Sequence, residues 1–350
     1  MRHRRRLHRK DAKKQKKIIV FSLLAALLCL TVGYAAFSTN VNLTAKGNIN
    51  TTPDSCFTVL DNGDGTGTIT DYDADTCGTK VKIPSKINNL TITKIGDTSG
   101  DNQATNVFAN KKIEKVILPN TITYIGSYAF YNNRLTSIVF PEGVTYIGSH
   151  AFYANSLTGE LKLPSKVSYI GNVAFMLNHI TKVDIPSSVT NLVGGAFTAN
   201  DLSGDDRIIY GRNSDGSINY SHINSYAGRD ATDFVFPETV IYLETCAFFQ
   251  VNIQEIEVPS RITYIGAYAF ASSGLVNIKL NEGLICIEAR AFRGTNLETI
   301  TIPSTVTTII DTAFTYNDKL TKIIINKPSN SITGAPWGAT NATVNWTGTN

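Results

Sequence analysis

The most regular feature of the sequence is a hydrophobic pattern that returns about every 22 residues. An aromatic marks each return, preceded by Ala in all copies but the first, and the successive intervals are 22, 22, 23, 22, 51, 22, 22 and 22 residues. The aromatic residues are Phe108, Phe130, Phe152, Phe175, Phe197, Phe248, Phe270, Phe292 and Phe314. A period of this length is typical of solenoid proteins, in which each repeat forms one coil and neighbouring coils stack.

Other apolar positions keep the same spacing. From Phe130 onward, aliphatic residues stand eight and five residues before each Phe, and they also stand five residues after most of the Phe residues, as Ile122, Ile125 and Leu135 do around Phe130. A segment of alternating apolar and polar residues then ends at a proline in most repeats, which predicts a strand with one buried face. We expect about nine or ten coils with short parallel strands, in which Phe residues of adjacent coils are buried neighbours.

An asparagine follows the Phe by three residues in five repeats. These are Asn133, Asn155, Asn178, Asn200 and Asn317. A buried amide can donate to and accept from the backbone of adjacent coils, so it can satisfy polar groups inside the turns. Turn propensity alone would also place asparagine there, but its presence in four successive coils favours a hydrogen-bonded ladder.

The repeat pattern LxxIxIPxxVxxIGxxAFxxN resembles the BspA-type leucine-rich repeat of bacterial surface proteins, over roughly residues 79–327. This resemblance implies a curved, right-handed leucine-rich-repeat solenoid, in a family often linked with adhesion to host or neighbouring cells. Some turns depart from the pattern. Asn281 replaces the strand-ending proline, and the glycine is replaced by Val193, Glu244, Glu288 and Ile310.

The N-terminus is basic and then apolar. Residues 1–17 contain ten Lys or Arg and one acid, and residues 18–37 carry no charge. An apolar helix of this length spans a membrane, and flanking cations keep their own side in the cytoplasm. We expect a cytoplasmic tail at 1–17 and a transmembrane helix at 18–37, or a signal sequence cleaved near Ala35. Both interpretations place residues 38–350 outside the cytoplasm.

Composition argues against several kinds of function. The chain has 32 basic residues (Lys and Arg) and 28 acidic residues (Asp and Glu). Without residues 1–17, 22 basic and 27 acidic residues remain, which gives this part a net charge of −5. A mildly acidic body does not favour nucleic-acid binding. No GxSxG, HExxH, GxxxxGK[ST] or CxxC motif is present, and the acidic stretch at 61–65 lacks the glutamate of a calcium loop. We expect no catalytic, cofactor or metal site.

The 51-residue interval contains an insert at residues 203–232 that is rich in Ser, Gly, Asn and Asp. Short apolar segments at 208–210 and 218–220 flank a turn at 213–216, which predicts a hairpin projecting from the array. Loops on rigid scaffolds often carry function, so the insert could help to select a partner.

Both ends of the array require caps. We expect residues 38–78 to form a linker and a cap closed by a disulfide between Cys56 and Cys77, with two free thiols as the alternative. Cys246 and Cys286 occupy different repeat positions and are expected to be unpaired. Residues 328–350, which contain Trp337 and Trp346, are expected to form the C-terminal cap rather than an exposed ligand site.

A stripe of tyrosines is the candidate binding site. Six residues before the Phe, five repeats carry Tyr124, Tyr146, Tyr169, Tyr242 and Tyr264. The next residue points inward, so these side chains point outward. They could form an aromatic platform for a glycan or a peptide, or they could reflect the preference of tyrosine for exposed strands.

The leading hypothesis is a monomeric, non-catalytic extracellular module that presents a curved surface to a protein or glycan. It would be attached to the membrane through residues 18–37 or secreted, and it would use no cofactor. The alternative is a structural or spacer component of the cell envelope without a discrete ligand.

Overall fold

The computed structural model describes residues 50–96 and 107–348, and the chain from Thr51 onward forms one compact unit. Residues 18–37, where the membrane or signal helix is expected, lie outside the described residues. Within the described ranges, no helix combines the length and the hydropathy of a membrane span.

The described residues fold into a β-solenoid of about twelve turns. In residues 50–96 and 107–348, helices are limited to α1 (Ala74–Cys77) and two 3₁₀ turns at Asp54–Cys56 and Gly204–Arg207. The strands are β1 (Phe57–Asp61), β2 (Thr66–Tyr72), β3 (Lys80–Lys82), β4 (Lys86–Ile87), β5 (Leu90–Ile95), β6 (Lys115–Ile117), β7 (Tyr124–Ile125), β8 (Tyr146–Ile147), β9 (Thr158–Lys162), β10 (Tyr169–Ile170), β11 (His179–Asp184), β12 (Asn191–Leu192), β13 (Ile208–Arg212), β14 (Ile218–Tyr226), β15 (Tyr242–Leu243), β16 (Glu255–Val258), β17 (Tyr264–Ile265), β18 (Asn277–Leu280), β19 (Cys286–Ile287), β20 (Thr299–Ile302), β21 (Thr308–Ile309), β22 (Lys322–Ile325) and β23 (Thr343–Trp346).

The first side of each regular coil is a two-residue strand. The two-residue strands stack in parallel, and together with longer strands they form two sheets, with the orders β1-β2-β5-β7-β8-β10-β12 and β13-β14-β15-β17-β19-β21. The pairing is in register from coil to coil, so Tyr124 lies opposite Tyr146 and Tyr146 opposite Tyr169. Among the strands of the described residues, only the pairs β1–β2, β4–β5 and β13–β14 are antiparallel. Short parallel strands, as the repeat pattern predicts, are therefore present.

The second side contains the Ala-Phe pair and is called the Ala-Phe side below. Its backbone donates to the next coil without forming a strand, as in the bonds from Phe130 N to Ala151 O and from Phe152 N to Ala174 O, both 2.8 Å. Residues two positions before and after the Phe adopt left-handed backbone, for example Tyr128 at φ 59° and Asn132 at φ 50°. This segment turns the chain while keeping backbone hydrogen bonds between coils.

The third side consists of the proline-ended strands. They pair in parallel as β3-β6, β9-β11, β16-β18 and β20-β22-β23. The proline then begins a turn: Pro119 O accepts from Ile122 N at 3.2 Å, and Pro141 O accepts from Val144 N at 3.1 Å. Proline therefore ends the strand and starts the path to the next tyrosine strand.

The interior is a column of stacked aromatic rings. The ring centroids of Phe130 and Phe152 lie 5.1 Å apart and those of Phe152 and Phe175 lie 5.3 Å apart, and all three side chains are fully buried. The prediction that they are adjacent buried neighbours is confirmed. Each ring fills the space that the neighbouring coils leave open, so no single coil could bury it.

The number of turns exceeds the expected nine or ten because other aromatic residues extend the column. Tyr72 packs on Phe108 at 5.0 Å with the rings tilted by 39°. Tyr226 stacks on Phe248 at 5.3 Å, and Trp337 packs edge-on against the last Phe at 6.5 Å. Their side chains fill the same kind of internal space as phenylalanine. The Ala-Phe spacing alone does not reveal these turns.

The insert is built differently from the expectation. Its hairpin forms from β13 and β14, but β14 continues and pairs in parallel with β15 through Ile223 and Leu243. The insert therefore contributes a coil to the column. The hairpin also does not simply project: at Gly216 (φ 81°) a Cβ would lie 1.8 Å from Ser187 O, so the turn packs directly on the preceding coil.

The asparagine ladder is confirmed. Asn178 is fully buried; its Oδ1 accepts from Leu157 N at 3.0 Å, and its Nδ2 donates to Phe152 O at 2.9 Å and Phe175 O at 3.0 Å. The same bonds to the Phe carbonyl of the preceding coil are made by Asn133, Asn155, Asn200 and Asn317. Each amide thus ties the turn of one coil to its neighbour.

The two ends of the column are covered. At the N-terminal end, Phe57 packs on Tyr72 at 5.3 Å. At the C-terminal end, Trp337 is fully buried, its Nε1 donates to Thr333 O at 2.7 Å, and Trp346 lies 6.5 Å from it. Apolar end coils are thereby kept from water.

Candidate functional site

The tyrosine stripe lies on the first side of the coils and forms two stacks. In the first stack, the Tyr124 and Tyr146 rings are 4.4 Å apart and tilted by 9°, and the Tyr146 and Tyr169 rings are 4.4 Å apart and tilted by 5°. Parallel in-register pairing places every residue of the stripe directly beside its equivalent in the next coil. Asn191 follows Tyr169 and ends the first stack.

The second stack contains a member that the sequence analysis missed. His222 pairs in register with Tyr242, and their rings stack at 4.5 Å, while Tyr242 and Tyr264 stack at 4.1 Å. The histidine takes the tyrosine position of the coil that the insert supplies. The 22-residue spacing does not identify it, since the residue 22 before Tyr242 is Tyr220, whereas His222 stands 20 residues before Tyr242.

Stacking determines what the stripe presents to solvent. Rings that are nearly parallel and 4.1 to 4.5 Å apart cover each other's faces, and each tyrosine of the stripe is half-buried. Ring edges and phenolic oxygens are therefore the accessible parts. A sugar or peptide at the middle of a stack would be bound mainly through hydroxyl groups and ring edges.

Carboxylates accompany the second stack. Tyr264 donates its hydroxyl to Glu288 at 2.8 Å, and Glu244 lies 2.8 Å from His222 Nδ1. Burial raises the pKa of the Tyr264 hydroxyl, and hydrogen bonds with Tyr242 and Glu288 raise it further. The first stack has no such carboxylate at the equivalent positions, which are Gly126, Gly148 and Gly171. The two halves of the stripe therefore differ in charge.

The proline-ended strands form a second outward surface. Charged side chains pair between coils there, with Glu257 and Lys279 at 2.7 Å and Glu160 and Lys182 at 3.1 Å. Two apolar side chains of this surface are well exposed, Val139 at 83% and Val235 at 82%. Exposed ion pairs of this kind contribute little to stability.

The insert and the preceding coil enclose a cleft of about 410 Å³. Arg212 lines it and donates to Ile185 O at 2.9 Å, and burial lowers the pKa of this guanidinium. Asp184, Tyr210 and Ser217 also line the cleft. The insert hairpin therefore adds a polar concavity to the proline-ended side.

A polar cluster fastens the insert to the array. Asp201 lies 2.8 Å from His179 Nδ1 and accepts from Arg229. Burial raises the pKa of the Asp201 carboxyl, but hydrogen bonds from His179 and Arg229 outweigh it, so the pKa lies below the ordinary value. His179 thus holds the coils together here. His150 stacks on Tyr128 at 4.4 Å in another coil, apart from His179.

The cysteines divide as the sequence analysis describes. Cys56 and Cys77 are joined by a disulfide that closes the N-terminal cap, whereas Cys246 and Cys286 have free thiols. Burial raises the pKa of these thiols to about 12 and about 11, respectively, so neither is a reactive thiolate at neutral pH. In the part of the chain that the structure describes, no three His, Cys, Asp or Glu side chains could together hold a metal ion.

The repeat sequence matches a known family. The pattern described as the BspA type leucine rich repeat region matches residues 102–204 and 221–336 in six copies. These ranges together cover more than half of the chain. Among curated protein sequences, none matches this chain.

Three solved structures are similar to this chain. A leucine-rich repeat protein from Eubacterium ventriosum is 20% identical with a TM-score of 0.52, and the match covers 78% of this chain and 84% of that one. A leucine rich cell surface protein from Faecalibacterium prausnitzii is 22% identical over 87% and 96% of the two chains, with a TM-score of 0.47. The pneumococcal vaccine antigen PcpA is 18% identical over 78% and 80%, with a TM-score of 0.49.

The stacked coils, the family match and the first of these structures agree. The resemblance noted in the sequence is confirmed, and the fold class is a leucine-rich-repeat solenoid. The chain belongs to the BspA-type leucine-rich repeat family.

Proposed function

We propose that this chain is a non-catalytic bacterial surface protein that binds an extracellular protein or glycan through the tyrosine stripe. The observation that carries the proposal is the in-register stacking of Tyr124, Tyr146 and Tyr169 at 4.4 Å along three successive coils. Stacking fixes the side chains before a ligand arrives, so little conformational entropy is lost on binding. A row of phenolic hydroxyl groups at regular spacing suits a repeating ligand such as a glycan chain or an extended peptide.

The proposed location follows from the N-terminal sequence. Ten cations in residues 1–17 and the uncharged stretch at 18–37 support a single-pass anchor with an extracellular C-terminal region, or secretion after cleavage near Ala35. A disulfide between Cys56 and Cys77 suits an oxidising, extracytoplasmic space. The protein acts as a monomer, and several copies on one cell would add avidity.

The test compares attachment of wild-type protein and a stripe variant to arrays of glycans and matrix proteins. The variant carries Tyr124→Thr, Tyr146→Thr and Tyr169→Thr, because Thr308 occupies the equivalent position in the last regular coil. We expect the variant to lose attachment while its melting temperature stays close to that of the wild type. Changing Tyr242 and Tyr264 in the same way tests the second stack.

A matched control removes exposed apolar side chains elsewhere. It carries Val139→Thr, Val235→Thr and Tyr316→Thr, whose native side chains are 83%, 82% and 70% exposed, and it should bind like the wild type. Equal binding by the stripe variant would refute the proposal. If no array component binds and the protein instead self-associates, the alternative of a structural or spacer component of the envelope is favoured.

A further inference from the structure

A second concave site lies on the Ala-Phe side, away from the tyrosine stripe. It is a cavity of about 310 Å³ between coils that are not consecutive. The cavity, called the Ala-Phe pocket below, has walls and a floor formed by Tyr153, Val173, Met176, Cys246, Phe249 and Tyr268. The floor residues Val173, Met176 and Cys246 form a small apolar cluster of their own, separate from the two main core clusters.

The pocket exists because one coil has almost no side chains at this place. In the coil of Phe197, the residues three and two before the Phe are Gly194 and Gly195. A Cβ on Gly195 (φ 74°) would lie 2.7 Å from Cys246 Cβ and 3.1 Å from Val173 Cγ1. The neighbouring coils therefore close over bare backbone, and their aromatic side chains stand around the gap.

The lining is mostly apolar, and His150, Asn172 and Thr245 are its polar members. None of its residues is Lys, Arg, Asp or Glu, and Met176 and Val173 are only 1% and 3% exposed. Burial raises the pKa of the Tyr153 hydroxyl and of the Cys246 thiol to about 12. The floor of Val173, Met176 and Cys246 offers no polar side chain, so an apolar group would be favoured against it.

The surroundings suit a protein partner rather than a free apolar molecule. Tyr131 stacks on Tyr153 at 5.2 Å, and the Arg290 guanidinium lies 5.4 Å from the centre of the Tyr268 ring. Tyrosine, methionine and arginine around a pocket are the composition typical of interface hot spots.

At two of the repeat positions on this side, the charged residues all have one sign. The charged residues two before or one after the Phe of the repeats are Arg290 and Arg293, and no acid occupies these positions. A partner that carries carboxylates would complement them.

We propose that the Ala-Phe pocket binds one bulky apolar side chain of a partner protein, flanked in the partner sequence by acidic residues. The apolar side chain fills the gap above Gly195, and the carboxylates pair with Arg290 and Arg293. The site is separate from the tyrosine stripe, so either can function without the other.

The experiment uses the full-length chain and a synthetic peptide, acetyl-Glu-Gly-(4-fluorophenylalanine)-Gly-Glu-amide, observed by ¹⁹F NMR. Met176→Tyr fills the pocket with the residue that the two preceding coils carry at this position, Tyr131 and Tyr153. Tyr131→Met is the matched reverse change outside the pocket. We expect saturable binding by the wild type and by Tyr131→Met, and binding weakened by about tenfold or more in Met176→Tyr.

Two further variants make the result decisive. Val173→Tyr fills the pocket from another side, at a position where Tyr128 has the same left-handed backbone, and replaces Met176→Tyr if that variant does not fold. Arg290→Gln should weaken binding of the acidic peptide but not binding of an analogue in which Gln replaces both Glu residues.

Several outcomes would overturn the proposal. These are absence of saturable binding, equal binding by the filled and wild-type pockets, or loss of binding in the stripe variant, which would assign the peptide to the stripe. Self-association that Met176→Tyr abolishes would identify a second copy of the chain as the occupant and would also overturn it.

Discussion

Replacing Asn178 with alanine is the sharpest test of how the coils are held together. The substitution leaves the buried N–H of Leu157 without its only acceptor, which costs about 1–3 kcal/mol. The carbonyls of Phe152 and Phe175 each lose one donor but keep another amide, from Asn155 and Asn200, at about 0.5 kcal/mol each. We expect Asn178→Ala to reduce the free energy of unfolding by about 3 kcal/mol.

Calorimetry and hydrogen exchange measure this effect. A repeat array can unfold in parts, so exchange of the Leu157 amide and its neighbours reports the local loss, and the melting temperature reports the global loss. The control is Asn277→Ala, an exposed asparagine that donates to Glu255 at 2.8 Å and whose loss should change stability by less than about 0.5 kcal/mol. If Asn178→Ala behaves like this control, the buried ladder does not hold the coils together.

Three other predictions address the core, the cap and acid stability. Phe152→Ala removes a fully buried ring from the column and should lower the free energy of unfolding, measured by chemical denaturation, by about 3–5 kcal/mol. A decrease of less than about 1 kcal/mol would contradict the packing of the column. Replacing Cys56 and Cys77 with serine removes a disulfide between residues 21 positions apart and should lower the free energy of unfolding by roughly 3 kcal/mol. Reductant should then lower the melting temperature of the wild type but not of the double variant. Burial raises the pKa of Asp201, but hydrogen bonds from a histidine and an arginine hold this pKa below the ordinary value of 3.8 in the folded protein. The carboxylate therefore stabilises the fold above pH 3.8, and this contribution is lost as the pH falls through the lower pKa of the folded state. Asp201→Asn should therefore narrow the stability difference between pH 7 and pH 3, and an unchanged difference would show that this carboxyl does not contribute.

Part of the candidate site could be predicted from sequence, because the residue before a buried strand position must point outward. That rule places Tyr124, Tyr146 and Tyr169 on one surface. It does not show that their rings cover one another, since stacking depends on the parallel register between coils. It also misses His222, whose coil lacks the Ala-Phe pair.

The sequence by itself determined the repeat, the direction of its apolar side chains and the asparagine ladder. These features depend on spacing along one chain, and a 22-residue spacing can bury its Phe residues only when the coils stack. The hairpin at β13 and β14 was also accessible, because its turn signals are local.

The tertiary structure alone decided where the column begins and ends and what the insert does. Tyr72, Tyr226 and Trp337 occupy column positions without the repeat sequence around them, because internal space accepts any ring of suitable size and not one residue type. The Ala-Phe pocket is likewise a product of contact, since Gly195 matters only through its approach to Val173 and Cys246. Packing between residues that are far apart in the sequence determines these features, so the local spacing of residues cannot predict them.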